Sequence, residues 1–323
     1  YFTMGASFGH FLVNKSDLKA VPFEGENGLE SLLEYMTRNG WEGLYEGENL
    51  IGVRKYPATV LLQAGGQIEL QVAKTASLQV IDKAYLDFIQ GLFSELEARG
   101  QILLSAGQQP ASTLDEIELM PMAKAEVMAK YAEGNQAAMQ LLKGSAQTVV
   151  TIDYAHSDDF EKKFRVASAL APMFAALFDN APVVDGKDSE KFVANLRMFD
   201  EAKLANTQIE NIISGHSFKY VQYIKFVHEA PAIAAAEGEE IVYLGEKTNE
   251  EYYGDRELND GEINAVLEMV QPEVRATANG IELRMVDALP YPLNMAYLAL
   301  IKGIFYSVDN LNAVYDTVMS ISR

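Results

Sequence analysis

The run Leu61-Leu62-Gln63-Ala64-Gly65-Gly66-Gln67-Ile68-Glu69-Leu70-Gln71 constrains this chain more than any other. After the glycine pair, strict alternation places Gln67, Glu69 and Gln71 on one strand face and Ile68, Leu70 and Val72 on the other. Such a strand buries one side and leaves the other polar. The Gly-Gly pair lets the backbone turn sharply or approach a ligand closely. Alone, the run fits an ordinary half-solvated strand after a turn. It gains meaning because other strands repeat its pattern.

Phe2 to Val13 alternates Gly5, Ser7, Gly9 and Phe11 with Met4, Ala6, Phe8, His10 and Leu12. Ala146 to Tyr154 sets Gln147, Val149, Thr151 and Asp153 against Thr148, Val150, Ile152 and Tyr154. Short strands are expected at 41–45, 50–54, 59–62, 101–106 and 240–244, and another at Asn195 to Phe199. A hairpin is expected around Asn279-Gly280, with Glu282 and Arg284 sharing a face of its second arm. Helical spacing appears at about 28–39, 78–99, 123–132, 135–142, 160–178, 218–228, 261–270, 293–306 and 309–320. Gly100 stops the long second helix, Ser157-Asp158-Asp159 starts the fifth, and Pro172 should bend it. The expected fold class is α+β, a curved and mainly antiparallel sheet with helices on its outer face and a bowl-shaped polar cavity on the other.

No linker, repeat or low-complexity stretch divides the 323 residues, so residues 1–323 are expected to form a single domain. With 26 basic and 46 acidic residues the formal charge is −20, which repels nucleic acid and anionic membranes. Neither is expected as a partner. The absence of cysteine excludes disulfides, thiolate metal sites and a cysteine nucleophile, and fits a cytoplasmic protein. No stretch approaches the roughly 20 apolar residues of a membrane span. His10, His156, His216 and His228 lack metal-ligand spacing and read as surface or core residues. Gly65-Gly66 is not followed by the Gly-Lys-Ser/Thr of a phosphate-binding loop.

An antiparallel sheet would bring Ser7, Gly9, Gln67, Glu69, Thr151, Asp153, Glu282 and Arg284 together, with Arg197 joining them. Such a set suits an amino acid or glutamyl compound. Arg284 or Arg197 would clamp a carboxylate, and Glu69 or Glu282 would pair with an ammonium. The plainer alternative is a set of solvated strand faces, or a salt-bridge network holding the sheet.

Read together, these stretches resemble the plant-type and bacterial glutamate–cysteine ligase family, which has a glutamine-synthetase-like fold. Gln63-Ala64-Gly65-Gly66-Gln67-Ile68-Glu69-Leu70 is similar to the family's Glu-Pro-Gly-Gly-Gln-Phe-Glu-Leu, and Gly5-Ala6-Ser7-Phe8-Gly9-His10-Phe11 to its Gly-x-Glu-x-Glu-x-Phe. Asn39-Gly40-Trp41, Lys163-Phe164-Arg165, Pro272-Glu273-Val274-Arg275 and Ile281 to Asp287 extend the likeness along nearly the whole chain. The family uses magnesium-bound ATP to join the γ-carboxylate of glutamate to the amine of cysteine through an acyl phosphate. The resemblance implies catalytic roles for Glu69, Asp153 and Glu282, metal binding by Glu69, and substrate contacts from Gln67, Thr151, Arg197, Arg284 and Asp287.

Magnesium wants hard oxygen ligands, and phosphoryl transfer needs its charge neutralised. Here the supply is depleted: Ser7, Gly9 and Gln63 stand where the family has glutamates. Val149 replaces a glutamine, and after Arg197 the family's Ile-Trp and Asp-Arg features are missing. The departures fall on the metal and phosphate half. The resemblance therefore implies a diverged member that keeps an amino-acid or glutamyl pocket without normal ligation. Two alternatives stay open: an active ligase with magnesium and ATP, and a non-catalytic interaction protein. A homo-oligomer or a partner enzyme is compatible with each.

Overall fold

A computed structural model describes residues 2–189, 192–207, 209, 218–237 and 240–321. The elements run β1 (Met4–Asn14), α1 (Leu29–Arg38), β2 (Glu42–Glu46), β3 (Asn49–Lys55), β4 (Ala58–Leu62), β5 (Ile68–Thr75), α2 (Leu78–Arg99) and β6 (Gln101–Leu104). Next come α3 (Ala123–Tyr131), α4 (Gln136–Gly144), β7 (Thr148–Ile152), α5 (Ser157–Leu177), β8 (Val183–Val184), β9 (Lys187–Asp188) and α6 (Ala194–Ala202). The last are α7 (Tyr220–Glu229), β10 (Pro231–Glu237), β11 (Glu240–Thr248), α8 (Asn249–Tyr253), α9 (Asp260–Met269), β12 (Val274–Thr277), β13 (Gly280–Leu283), α10 (Leu293–Phe305) and α11 (Val308–Ile321).

One nine-stranded antiparallel sheet organises the molecule, in the order β12-β13-β7-β1-β5-β4-β3-β2, with β6 also paired to β1. The α+β class follows from this. Alternation decides which face is covered. Met4, Ala6, Phe8 and Leu12 of β1, Val150 and Ile152 of β7, Leu70 and Val72 of β5, and Val60 and Leu62 of β4 all enter the main core. Helices supply its other half. Leu29, Leu32, Leu33 and Met36 of α1 and Ile81, Tyr85, Phe88, Leu92 and Leu96 of α2 are buried there, at the expected helical spacing. Gly100 takes the left-handed conformation at φ 66° and ends α2 where the sequence expects it. In α5 the buried Phe160, Phe164, Ala167, Ala171 and Phe174 form the expected stripe, although its cap is His156, whose Nδ1 accepts from Asp159 N.

One expectation needs correction, one strand is missed, and His10 takes the core-side place that alternation along Phe2 to Val13 gives it. Asn195 to Phe199 lies in helix α6, not in a strand. Five residues of mixed polarity satisfy both periods, and only the longer run, burying Ala194, Asn195 and Ala202, distinguishes them. Residues 231–237 form strand β10, which the alanine-rich Pro-Ala-Ile-Ala-Ala-Ala-Glu hides, since alanine favours helices until a partner strand such as β11 overrides it. His10 lies buried on the core face, where burial lowers its pKa to about 4 and its Nε2 meets the Tyr85 hydroxyl at 3.2 Å. His228 is exposed in the last turn of α7, and His216 lies outside the described residues. Among the described residues no helix is long and apolar enough to cross a membrane.

Candidate functional site

Residues directly opposite one another in an antiparallel pair point to the same side. Arg275 faces Glu282, Glu282 faces Thr151, and Thr151 faces Gly5. One pleat repeat further, Val149 faces Ser7, Ser7 faces Gln71, and Gln71 faces Thr59. Next, Gly9 faces Glu69, which faces Leu61. These rows form the face opposite the helical core. Its centre is shallow because β1 contributes only Gly5, Ser7 and Gly9. Beyond Gly9, Phe11 and Val13 pack with Ala146 and Ala288 into a small second core that bounds the polar patch.

Charge collects on the two sides of that floor. Arg275 Nε donates to Glu282 Oε2 at 2.7 Å, and Arg284 Nη1 stands 3.7 Å from the same oxygen. Glu69 accepts from Gln71 Nε2 at 2.6 Å. Burial lowers the Arg284 pKa to about 10, helped by repulsion from Arg275, while Glu282 and Glu69 both oppose the shift. Arg284 therefore feels carboxylates from β13 and β5, three strand spacings or about 14 Å apart at the backbone. Glu69, Thr151, Glu282 and Arg284 are brought onto one surface. Arg275 joins them, a residue that alternation along one strand does not reveal. Its signal is the Asn279-Gly280 turn, which fixes the register across the hairpin.

The remaining candidates sit elsewhere. Gln67 is 2% exposed: its Oε1 accepts from Gly65 N at 3.0 Å, and its Nε2 donates to Lys143 O and Ser145 O. Its amide is committed to backbone. A Cβ at Gly65 would collide with the Lys143 carbonyl, so this glycine permits close approach of α4 and not of a ligand. Asp153 accepts from Thr3 N at 3.0 Å and from the Thr3 hydroxyl, and is ion-paired with Lys74. Burial would raise its pKa, but hydrogen bonds from Lys74 and Thr3 outweigh burial and hold it below the usual value. Arg197 is exposed on α6, its Nε donating to Phe192 O at 2.9 Å.

Asp287 lies beyond the patch, bridged to Gln147 in the backbone. It accepts from Asn180 N and Asn195 Nδ2, both at 2.7 Å. A buried chain continues from Asn195 Oδ1 through Gln108 to Gln140. Burial raises the Asp287 pKa to about 6 against these two hydrogen bonds, with Asp179 adding repulsion.

The fit to magnesium is poor on this donor set. Gln63 O and N close the turn with Gly66 N and Gln67 O, and its side chain carries no charge. A Cβ at Gly9 would stand 3.1 Å from Ala146 Cβ and from both Gln147 N and O, so this part of the floor is filled by the β7 segment. Glu282 is already neutralised by guanidinium groups. Among the described residues no cluster of three or more His, Cys, Asp or Glu could hold a metal ion.

A sequence profile of glutamate–cysteine ligase family 2 matches residues 3–322. The chloroplastic glutamate–cysteine ligase of Medicago truncatula is 26% identical over 305 residues, covering 91% of this chain and 59% of that protein. The corresponding ligase of Arabidopsis thaliana is 24% identical over 305 residues, covering 91% and 58%. This chain thus spans about 59% of the length of the curated relatives it matches. A crystal structure of a bifunctional glutathione synthetase from Pasteurella multocida aligns with a TM-score of 0.41 at 10% identity, over 99% of this chain and 40% of that one.

Proposed function

This chain belongs to glutamate–cysteine ligase family 2, and from that we propose a diverged member that holds an amino acid or glutamyl compound on the polar sheet face without running ordinary magnesium–ATP ligation. One observation carries the reading: Arg275, Glu282 and Arg284 on one side and Glu69 on the other present both signs of charge across a floor of Gly5, Ser7 and Gly9. An α-amino acid carries the same two signs in reverse. Arg284 would hold its carboxylate and Glu69 its ammonium, Glu282 being paired with Arg275, and Thr151 would offer a hydroxyl beside Glu282. Gln67, Asp153 and Asp287 support this surface from its margins by fixing the Gly65 turn, the start of β1 and the loops around Asn180. Arg197 has no place in it on this geometry.

The face corresponds, in our reading, to the inside of a glutamine-synthetase-like bowl within one catalytic-type domain spanning residues 1–323. The relatives are named glutamate–cysteine ligases, and the resemblance to that family implies an ATP-dependent reaction. Against transfer of that activity stand the neutral Ser7 and Gln63 and the closed position at Gly9. Losing three carboxylates removes several kcal/mol of the electrostatic stabilisation that phosphoryl transfer requires.

Isothermal titration with magnesium and a non-hydrolysable ATP analogue, followed by glutamate, tests the reading. The expected result is no magnesium-dependent nucleotide binding and a glutamate signal that Arg284→Ala abolishes, with circular dichroism checking the fold. Tight magnesium-dependent nucleotide binding would overturn the proposal in favour of an active ligase. Silence toward both would overturn it in favour of a non-catalytic interaction protein.

A further inference from the structure

A recess lies on the other side of the sheet, between α1, α2 and the turn joining β3 to β4. It is a half-open cleft of about 400 Å³, within the range of small-ligand sites. Its walls include the partly buried Tyr35 and Trp41, while Phe88 and Leu92 are buried at its base. Gly91 keeps it open. A glycine in mid-helix costs stability relative to alanine, yet a Cβ here would meet nothing within 4 Å, so close packing does not demand it. Two opposite charges stand at the rim. Among the described residues Lys55 has no ion-pair partner and Asp87 is ion-paired only with the exposed i,i+4 lysine Lys83 at 2.6 Å. Exposed pairs of that kind are weak and easily exchanged.

We propose that this cleft binds a small aromatic amino acid. Its ring would lie among Tyr35, Trp41 and Phe88, its carboxylate on Lys55 and its ammonium on Asp87. Rings stack on indole and phenyl faces, and the separated cation and anion match a zwitterion better than a simple anion or amine. The helices and the sheet core separate this recess from the polar face, since Ala58 lines it whereas its neighbour Thr59 points to the opposite side beside Gln71. The inference is independent of the function proposed for that face.

Trp41 is the only tryptophan in the chain and reports directly on the cleft. Titration of the full chain with L-phenylalanine should give a saturable change in its emission, matched by calorimetry. L-leucine, 3-phenylpropionate and phenethylamine should each bind at least about tenfold more weakly, one lacking the ring and the others one charge. Lys55→Met and Gly91→Leu should each weaken phenylalanine binding by at least about tenfold, and Lys55→Met, an exposed change outside the packed core, keeps the test valid if the larger side chain at Gly91 prevents folding. Arg284→Ala should leave it unchanged. Absence of saturable phenylalanine binding, equal binding of leucine, or an unaffected Lys55→Met variant would overturn the proposal.

Discussion

Asp287 and His10 act on stability with opposite signs as pH changes. Burial raises the Asp287 pKa from 3.8 to about 6, so its share of stability is complete below 3.8 and is lost as pH rises toward 6. Burial lowers His10 from 6.5 to about 4, so its share is complete above 6.5 and is lost as pH falls toward 4. Each shift of two units or more corresponds to about 3 kcal/mol, and the two slopes nearly cancel between the overlapping limits. Asp287→Asn should therefore expose the histidine: urea unfolding at pH 4.5, 5.5 and 6.5 should show the variant losing stability on acidification more steeply than the parent. Parallel slopes would refute the assignment. Period-two alternation was sufficient to place Glu69, Thr151, Glu282 and Arg284 on one surface, because which side a strand residue takes is a local property. It could not tell how far a side chain reaches or what waits for it. Gln67 is claimed by carbonyls of Lys143 and Ser145, and Asp153 by Thr3 and Lys74, partners remote in the chain. Arg275 needed the register of two strands before it could be seen beside Glu282.

The turn between β4 and β5 depends on α4 as one unit. Gln63 and Gln67 close it, and the Gln67 amide joins Gly65 N to the carbonyls that end α4. Gln67→Leu keeps the volume but strands one buried donor and two acceptors, each unpaired group costing on the order of 1–3 kcal/mol. A total loss of roughly 3 kcal/mol in chemical unfolding is expected, with faster amide exchange confined to Gly65, Gly66 and the residues after α4. Loss of less than about 1 kcal/mol would mean that the amide is not a lock. Elements of this molecule were legible in proportion to their length and to how much of their partner lies in the main core. The 22-residue α2 carries its whole apolar stripe and its glycine stop in its own sequence. The nine-residue α6 buries only Ala194, Asn195 and Ala202, too little to separate helix from strand. Strand β10 is alanine-rich and takes its conformation from β11, which no reading of residues 231–237 alone supplies.

At the scale of the whole molecule, the sheet order puts β1 between β7 and β5, so whatever β1 lacks is missing from the middle of the polar face. Replacing the missing carboxylates is then a test of architecture as well as of chemistry. Ser7 is half-buried between Val149 and Gln71. Gly9 is different, because Gln147 lies over it and accepts its N–H at 2.9 Å, leaving the backbone no room to withdraw from a side chain. A glutamate there would also stand opposite Glu69, a like-charged cross-strand pair. Ser7→Glu combined with Gln63→Glu should fold. Adding Gly9→Glu should cost a further 1–3 kcal/mol or so through overpacking, read by chemical unfolding. If the floor has closed as argued, neither variant regains a metal site, and magnesium with an ATP analogue should leave the melting temperature of both unchanged. A magnesium-dependent rise confined to the triple variant would mean instead that the face still has its ancestral shape and lacks only charge, and the proposed loss of ligation would then rest on three side chains rather than on the fold.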